Sequence, residues 1–287
     1  MDIPVIRYSV WRKFDSININ IPYIRLSYNQ FMKRIILFIL VFIAVKSMAQ
    51  LKPIPSGTYH LADVPVVKSV DREGRKFLEG TTAEFSFFEI HSSTQFKGAV
   101  PRPGHAQADI EELIYIKEGT IKFNMGKKNT VLGKGSVVLV SPREMQSSEN
   151  FGDGPLTYYV FEFRSKKPMD MERSAKAGGP LMINADSLKY MPSTVGGGIK
   201  YFQRATAMTE NLEVHLTELK HKGPSHAPHA HIETELILVL QGDIEATIEG
   251  KTYTAIAGDI CLTNSNEFHG MSNAKEAPCK YLVVKWK

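Results

Sequence analysis

Seven landmarks of this chain recur at one fixed interval. Glu112, Gly119, Gly135, Gln146, Asn150, Pro155 and Tyr158 are each followed, 123 residues later, by Glu235, Gly242, Gly258, His269, Asn273, Pro278 and Tyr281. His105 and Gln107 recur as His229 and His231 at an interval of 124, a slip of one residue just before the glutamate. A constant interval over so many unlike residues marks an internal duplication. One unit is built twice, and whatever fold serves one half has to serve the other.

That unit reads as β structure. Phe85–Ile90, Leu113–Ile116, Ser136–Val140 and Tyr158–Phe161 are short runs rich in aromatic and β-branched residues, and so are Leu236–Leu240, Ile244–Ile248 and Tyr281–Val284. Glycines at 119, 126, 135, 242, 250 and 258 punctuate them. Short strands at this spacing mean an all-β sandwich or barrel, and no long amphipathic helical pattern competes. The charged and then Gly-rich stretch Arg164–Pro180 joins the copies. Gly196-Gly197-Gly198 reads as a hinge or loop, since no strand-to-helix context makes it a phosphate cradle.

The second copy carries the chemistry. His229 and His231 are two apart, so side chains on a strand at that spacing leave one face. Glu235 follows, and the extra residue in the equivalent gap of the first copy points to a turn between His231 and Glu235. His269 comes from a later strand. Three imidazoles and a carboxylate are normal donors for first-row divalent ions. Four protein ligands saturate tetrahedral zinc, whereas an ion accepting six ligands keeps two positions open. Manganese or iron is therefore favoured, with zinc, nickel and cobalt as alternatives. His226 reads as a surface histidine, with a place at the site as the other option. In the first copy the same positions hold His105, Gln107, Glu112 and Gln146. Amide oxygens are neutral and hard, so three readings stay open there: a metal-free polar scaffold, a weaker metal site, or a distinct small-molecule pocket.

These residues resemble a known family. Gly223 to Gly242 fits the first cupin motif, G-x5-H-x-H-x3,4-E-x6-G, at every defined position. Gly258 to Asn273 fits the second, G-x5-P-x-G-x2-H-x3-N, except that Asn264 and Asn266 stand for its Pro and Gly. The chain thus resembles a bicupin over about residues 80–165 and 205–287. The resemblance implies two tandem double-stranded β-helix (jelly-roll) barrels and a divalent metal in the second. It leaves the reaction open, because cupins include enzymes of many classes and non-enzymatic binding domains.

The first 49 residues read as a leader. Met32-Lys33-Arg34 precedes eleven apolar residues, Ile35–Val45, and then Lys46-Ser47-Met48-Ala49. The run is too short to span a bilayer and suits a secretory signal peptide cleaved after Ala49. Residues 1–31 are then explained by a start assigned too early, and the alternative is a signal anchor. The expected organisation is a leader at 1–49, an N-terminal barrel at 50–165, a linker with lead-in strands at 166–204 and a C-terminal metal-binding barrel at 205–287. Seven of the 35 Lys and Arg and two of the 30 Asp and Glu fall in the leader, which leaves 28 of each. A mature chain of zero net charge supports neither nucleic-acid nor membrane-surface binding. Cys261 and Cys279 read as two buried thiols, with a disulfide as the alternative in an exported protein.

The functional expectation is a periplasmic or secreted metal-dependent enzyme of isomerase, lyase or hydrolase type. Its substrate is expected to be a small sugar acid or a hydroxy or keto acid. His215, Glu218 and Tyr281 are candidates for proton transfer. Two further readings stand beside it: a non-catalytic carbohydrate- or ligand-binding module and an Fe(II) dioxygenase. A homodimer is an open option.

Overall fold

Glu111–Ile116 shows no alternation of burial: all six residues are buried. The alternation survives in what each side chain meets. Leu113 and Tyr115 pack with Phe161, Leu236 and Trp286, the last two from the second copy. Ile114 and Ile116 pack with Ile121, Phe123 and Val138 of their own copy. The strand has a barrel interior on one face and a second barrel on the other, which explains an apolar run without solvent-facing gaps. The same parity in the second copy sends Ile237, Val239, Tyr281 and Val283 inward. Leu236, Leu238, Leu282 and Val284 face the first copy.

This computed structural model describes residues 51–287, which form one compact unit. The leader and cleavage point expected at 1–49 lie outside them. The described part is nearly all β, as expected. Two seven-stranded antiparallel sheets face each other, each backed by a smaller sheet. The first large sheet runs, in spatial order, Leu181–Ile183, Val137–Val140, Glu111–Glu118, Leu156–Ser165, Phe85–Gln95, Arg72–Gly80 and Val67–Lys68. The second runs Gly57–Tyr59, Ile260–Thr263, Thr234–Gln241, Cys279–Trp286, Leu212–Leu219, Gly196–Arg204 and Met191–Pro192. Position by position, the two orders are the same.

The edge strands exchange partners. Gly57–Tyr59 pairs with Ile260–Thr263 of the second sheet, and Leu181–Ile183 pairs with Val137–Val140 of the first. These two strands are themselves 124 residues apart, as are the 3-10 turns Leu61–Asp63 and Ala185–Ser187 that follow them. The repeat therefore includes elements that tie each barrel to the other.

Between the large sheets lies an aromatic core. Phe85, Phe88 and Trp286 are almost fully buried, with the Phe85 and Trp286 rings 5.3 Å apart. Burial of each such side chain stabilises by roughly 1.5–3 kcal/mol. Polar ties cross in both directions: Thr234 donates to Glu84 Oε2 (3.1 Å) and Thr206 donates to Glu111 Oε2 (2.6 Å). Cys261 and Cys279 are free and buried, and burial pushes the Cys261 thiol up to about 12.

One expectation is corrected. Gly196-Gly197-Gly198 is not a hinge but the start of a strand paired with Leu212–Leu219. A Cβ on Gly196 would meet the Glu218 carbonyl, one on Gly198 the Leu216 carbonyl, and one on Gly197 the Tyr190 ring. The glycines permit close backbone approach inside a sheet.

Candidate metal centre

His229 and His269 are held together by a pair of backbone hydrogen bonds, His229 N to His269 O (2.9 Å) and the reverse (2.8 Å). His269 opens the strand His269–Asn273 and Glu235 lies at the start of Thr234–Gln241. Between His231 and Glu235 the chain bends at Ile232 and Glu233, so the gap is a turn, as its variable length implied. The tight turn before His269 places Asn266 at φ 66°, a left-handed conformation that Asn tolerates. This accounts for Asn where the motif has Gly.

The result is convergence. The three imidazoles offer ligand nitrogens all within 4.8 Å of one another. Glu235 Oε2 lies 3.5 Å from His231 Nε2, and Oε1 lies 4.0 Å from His269 Nε2. Donors bonded to one ion at about 2.1 Å stand no more than about 4.2 Å apart, so small side-chain rotations close the set.

The hydrogen bonds fit a bound cation. His269 Nδ1 lies 2.8 Å from the Glu267 carbonyl and His231 Nδ1 lies 3.0 Å from the Glu233 carbonyl. Each Nδ1–H donates outward, which turns the Nε2 lone pair inward. Both Nε2 atoms are buried and have no hydrogen-bond partner among the described residues. Buried imidazole nitrogens without partners are what a metal ion would satisfy. Electrostatics agree. Burial, with His226, His269 and His231 nearby, holds His229 below the usual imidazole range. Burial would raise the Glu235 carboxyl, but the His231 imidazole 3.5 Å away and the charges of His269 and Lys285 outweigh it and keep it lowered.

A cavity of about 640 Å3 opens directly on His229 and Glu235. His215, Glu218 and Tyr281, the three proton-transfer candidates, all line it. His215 sits 3.1 Å from Glu213 and is held low by burial. Burial pushes the Tyr281 hydroxyl up, so it stays a donor. Glu218 is engaged by Lys280 at 3.4 Å. His226 is exposed, with its ring edge-on to His229 at 4.6 Å, on the wall of the same cavity.

Sequence reasoning missed Lys285, which also lines the cavity and is the cross-strand partner of Glu235. Its signal was within reach: the 123-residue interval sets Lys285 opposite Glu162 of the first copy. A full row of cross-strand neighbours can be compared this way. The second barrel reads Gln203, Glu213, Lys285, Glu235. The first reads Glu79, Glu89, Glu162, Glu112.

The first-copy set also meets in space. His105, Gln107, Glu112 and Gln146 line one cavity of about 260 Å3. His105 and Gln146 exchange backbone hydrogen bonds of 2.9 and 2.8 Å, the arrangement of His229 and His269. The amides thus occupy the imidazole positions without disturbing the backbone.

Comparison with known proteins accords with this geometry. Residues 215–285 match the family model of the cupin domain, and residues 102–180 match that of the AraC-like ligand binding domain. No curated protein matches. Among solved structures, the formate complex of Lactobacillus farciminis oxalate decarboxylase is similar at 11% identity with a TM-score of 0.64, covering 82% of this chain and 87% of that one. Protein Ylba from E. coli is 14% identical with a TM-score of 0.62, covering 84% and 95%. Bacillus subtilis oxalate decarboxylase, a protein with Mn(II) centres, is 13% identical with a TM-score of 0.62, covering 80% and 77%. At these identities the likeness speaks to fold. With two family models falling on successive halves of a duplicated all-β chain, this protein is a two-domain member of the cupin superfamily.

Proposed function

We propose that the protein is an exported enzyme that uses a divalent metal in its second barrel to transform a small oxygen-rich acid, a sugar acid or a hydroxy or keto acid. One observation carries this reading: two of the convergent donors, His229 and Glu235, line an open cavity whose walls also carry His215, Tyr281 and Lys285. A purely structural metal site would be closed by four ligands and packed over.

His229, His231, Glu235 and His269 would hold the ion, and manganese or iron suits a six-ligand site with two positions left for substrate oxygens. When bound, it supplies a Lewis acid for an enolate or alkoxide. The chain does the rest. Lys285, the cross-strand partner of Glu235 and 3.5 Å from Glu213, would add positive charge on the cavity wall to attract an acid's carboxylate. His215, neutral through burial, is suited to accept a proton, and Tyr281, held protonated, is suited to donate a hydrogen bond to a developing oxyanion. The similarity to oxalate decarboxylases supports a small acid as the substrate class.

The test is native-source metal analysis followed by chelation and add-back. Each sugar acid or hydroxy acid is offered to the stripped and the reloaded protein. Turnover that disappears on chelation and returns with manganese or iron supports an enzyme. A saturable thermal shift without turnover supports the second reading, a ligand-binding module, which the AraC-like match to residues 102–180 favours. Oxygen-dependent turnover would assign an Fe(II) dioxygenase instead. Export is tested separately: a chain starting at Met32 should reach the periplasm as well as the full one. Light scattering on the mature protein tests a homodimer.

A further inference from the structure

The smaller cavity of the first barrel keeps the strand frame of the second and holds a carboxylate where the second has its lysine. Its inner wall carries two carboxylates, Glu112 and Glu162, which are direct cross-strand partners. The matching place in the second barrel pairs Glu235 with Lys285. We propose that the first cavity is a recognition site for a small organic cation, an amine that also bears a hydroxyl or other acceptor oxygen, bound without a metal ion.

The nearby cations make their close ion pairs with other carboxylates. His91 Nδ1 lies 3.0 Å from Glu89, and Lys76 bridges Glu79 and Glu89, at 2.7 Å from the latter. Arg102 lies exposed at the rim. Neither Glu112 nor Glu162 has an ion-pair partner among the described residues. Burial, and then the charge of Glu112, push the Glu162 carboxyl up against the opposing charges of His91 and Lys76. Two carboxylates forced together in a part-buried cavity favour a ligand that brings positive charge.

Two unpartnered atoms define the rest of the ligand. Glu112 Oε1 is an acceptor without a donor, and Gln146 Nε2 is a donor without an acceptor. Both residues are only 4% exposed and both line the cavity. A buried polar group left unmade is costly, so each calls for a complement. A bare metal ion would satisfy the carboxylate but would need the Gln146 amide turned to present its oxygen in place of the N–H. An ammonium group next to a hydroxyl satisfies both. Replacing two imidazoles by Gln107 and Gln146 also weakens the set for borderline-soft ions. Phe123 and Tyr158 supply aromatic rings in the wall, against which an ammonium is stabilised. The volume of about 260 Å3 suits a molecule between an amino alcohol and an amino sugar.

Calorimetry on the mature, manganese-loaded protein tests this with matched probes: ethanolamine against ethylene glycol, and D-glucosamine against D-glucose. The expected result is saturable binding of at least one amine and none of its neutral partner. Glu162→Gln should weaken that binding about tenfold or more, the loss of one charge-assisted hydrogen bond. Because this change relieves a like-charge contact, the variant should fold, and a melting temperature no lower than wild type checks that. His229→Ala with His231→Ala should leave amine binding intact, which separates this site from the metal centre. The proposal is overturned if neither amine binds or if the neutral partners bind as tightly. It is equally overturned if Glu162→Gln has no effect, or if binding vanishes on chelation and returns with the metal.

Discussion

The two barrels share a strand order, a register and even the backbone hydrogen bonds that clamp their sites, yet their interiors carry different chemistry. In the second, His229 and His269 face each other across a backbone bridge; in the first, His105 faces Gln146. In the second, the cross-strand row has Lys285 between Glu213 and Glu235; in the first, Glu162 stands between Glu89 and Glu112. Backbone and core can therefore be conserved within one chain while side chains pointing into the cavity diverge, because interior-facing positions near the barrel mouth do not carry the packing. The packing lies in the apolar cores inside each barrel and on the opposite face of the same strands, where Phe85, Phe161, Leu236 and Trp286 form the shared core.

The largest test of that contrast is loss of the second site. His229→Ala with His231→Ala removes two of four donors and should lower metal affinity by far more than the roughly 10–100-fold that outer-shell changes produce. Metal analysis after dialysis reads this directly, and full occupancy would remove the C-terminal assignment. The converse tests whether the first barrel has lost only its donors. Gln107→His with Gln146→His restores three imidazoles beside Glu112 and should add a second bound equivalent in a manganese or cobalt titration. If stoichiometry stays at one, then Glu162 or the exposure of His105 also opposes metal, and adding Glu162→Lys separates the two.

A smaller contrast lies in the strands that flank the sites. Gly198 and Gly74 are 124 residues apart and occupy matching strands. A Cβ on Gly198 would collide with the Leu216 carbonyl, whereas one on Gly74 meets only Ser92 O, at 3.9 Å. Gly198→Ala should destabilise by about 3 kcal/mol, the upper range for overpacking, and Gly74→Ala by less than about 0.5 kcal/mol. Urea melts of the two variants provide the comparison. Equal effects would mean that the glycines of the second copy are not set by close approach.

Much of this was legible in the sequence, for identifiable reasons. The repeat interval exposed the duplication, and period-2 logic with motif spacing brought His229, His231, Glu235 and His269 to one point. The exchange of Gly57–Tyr59 and Leu181–Ile183 was not legible, because two three-residue strands carry no periodicity that names a partner. The glycine triplet misled because glycine usually breaks structure, and only the neighbouring carbonyls reveal close packing. Lys285 and Glu162 escaped notice because each ends an apolar run and reads as a solvent-facing terminus. Only cross-strand pairing shows that they face Glu235 and Glu112.

The smallest expected effect concerns the junction, where matching positions differ again. Glu111 of the first copy corresponds to Thr234 of the second, and both reach across to the other barrel. Thr234 is neutral, whereas burial pushes the Glu111 carboxyl up to about 6, against the opposing hydrogen bonds from Thr206 and the Met208 amide. The folded state therefore holds a proton that the unfolded chain, titrating near 4.5, has already released. Between those values stability falls as pH rises, and below the lower one the difference is gone. About one and a half units correspond to no more than about 2 kcal/mol. Glu111→Gln keeps an acceptor for Thr206 and removes the charge, so it should be more stable than wild type at pH 7 by up to that amount. The gap should close as pH falls to 4.5. Subtracting the two melting series cancels every other titrating carboxylate, including Glu89, which is held near 2 by His91 and shifts stability in the opposite sense. A gap that does not change with pH would mean Glu111 is ionised in the fold without penalty, and the two halves of the junction would then be electrostatically alike.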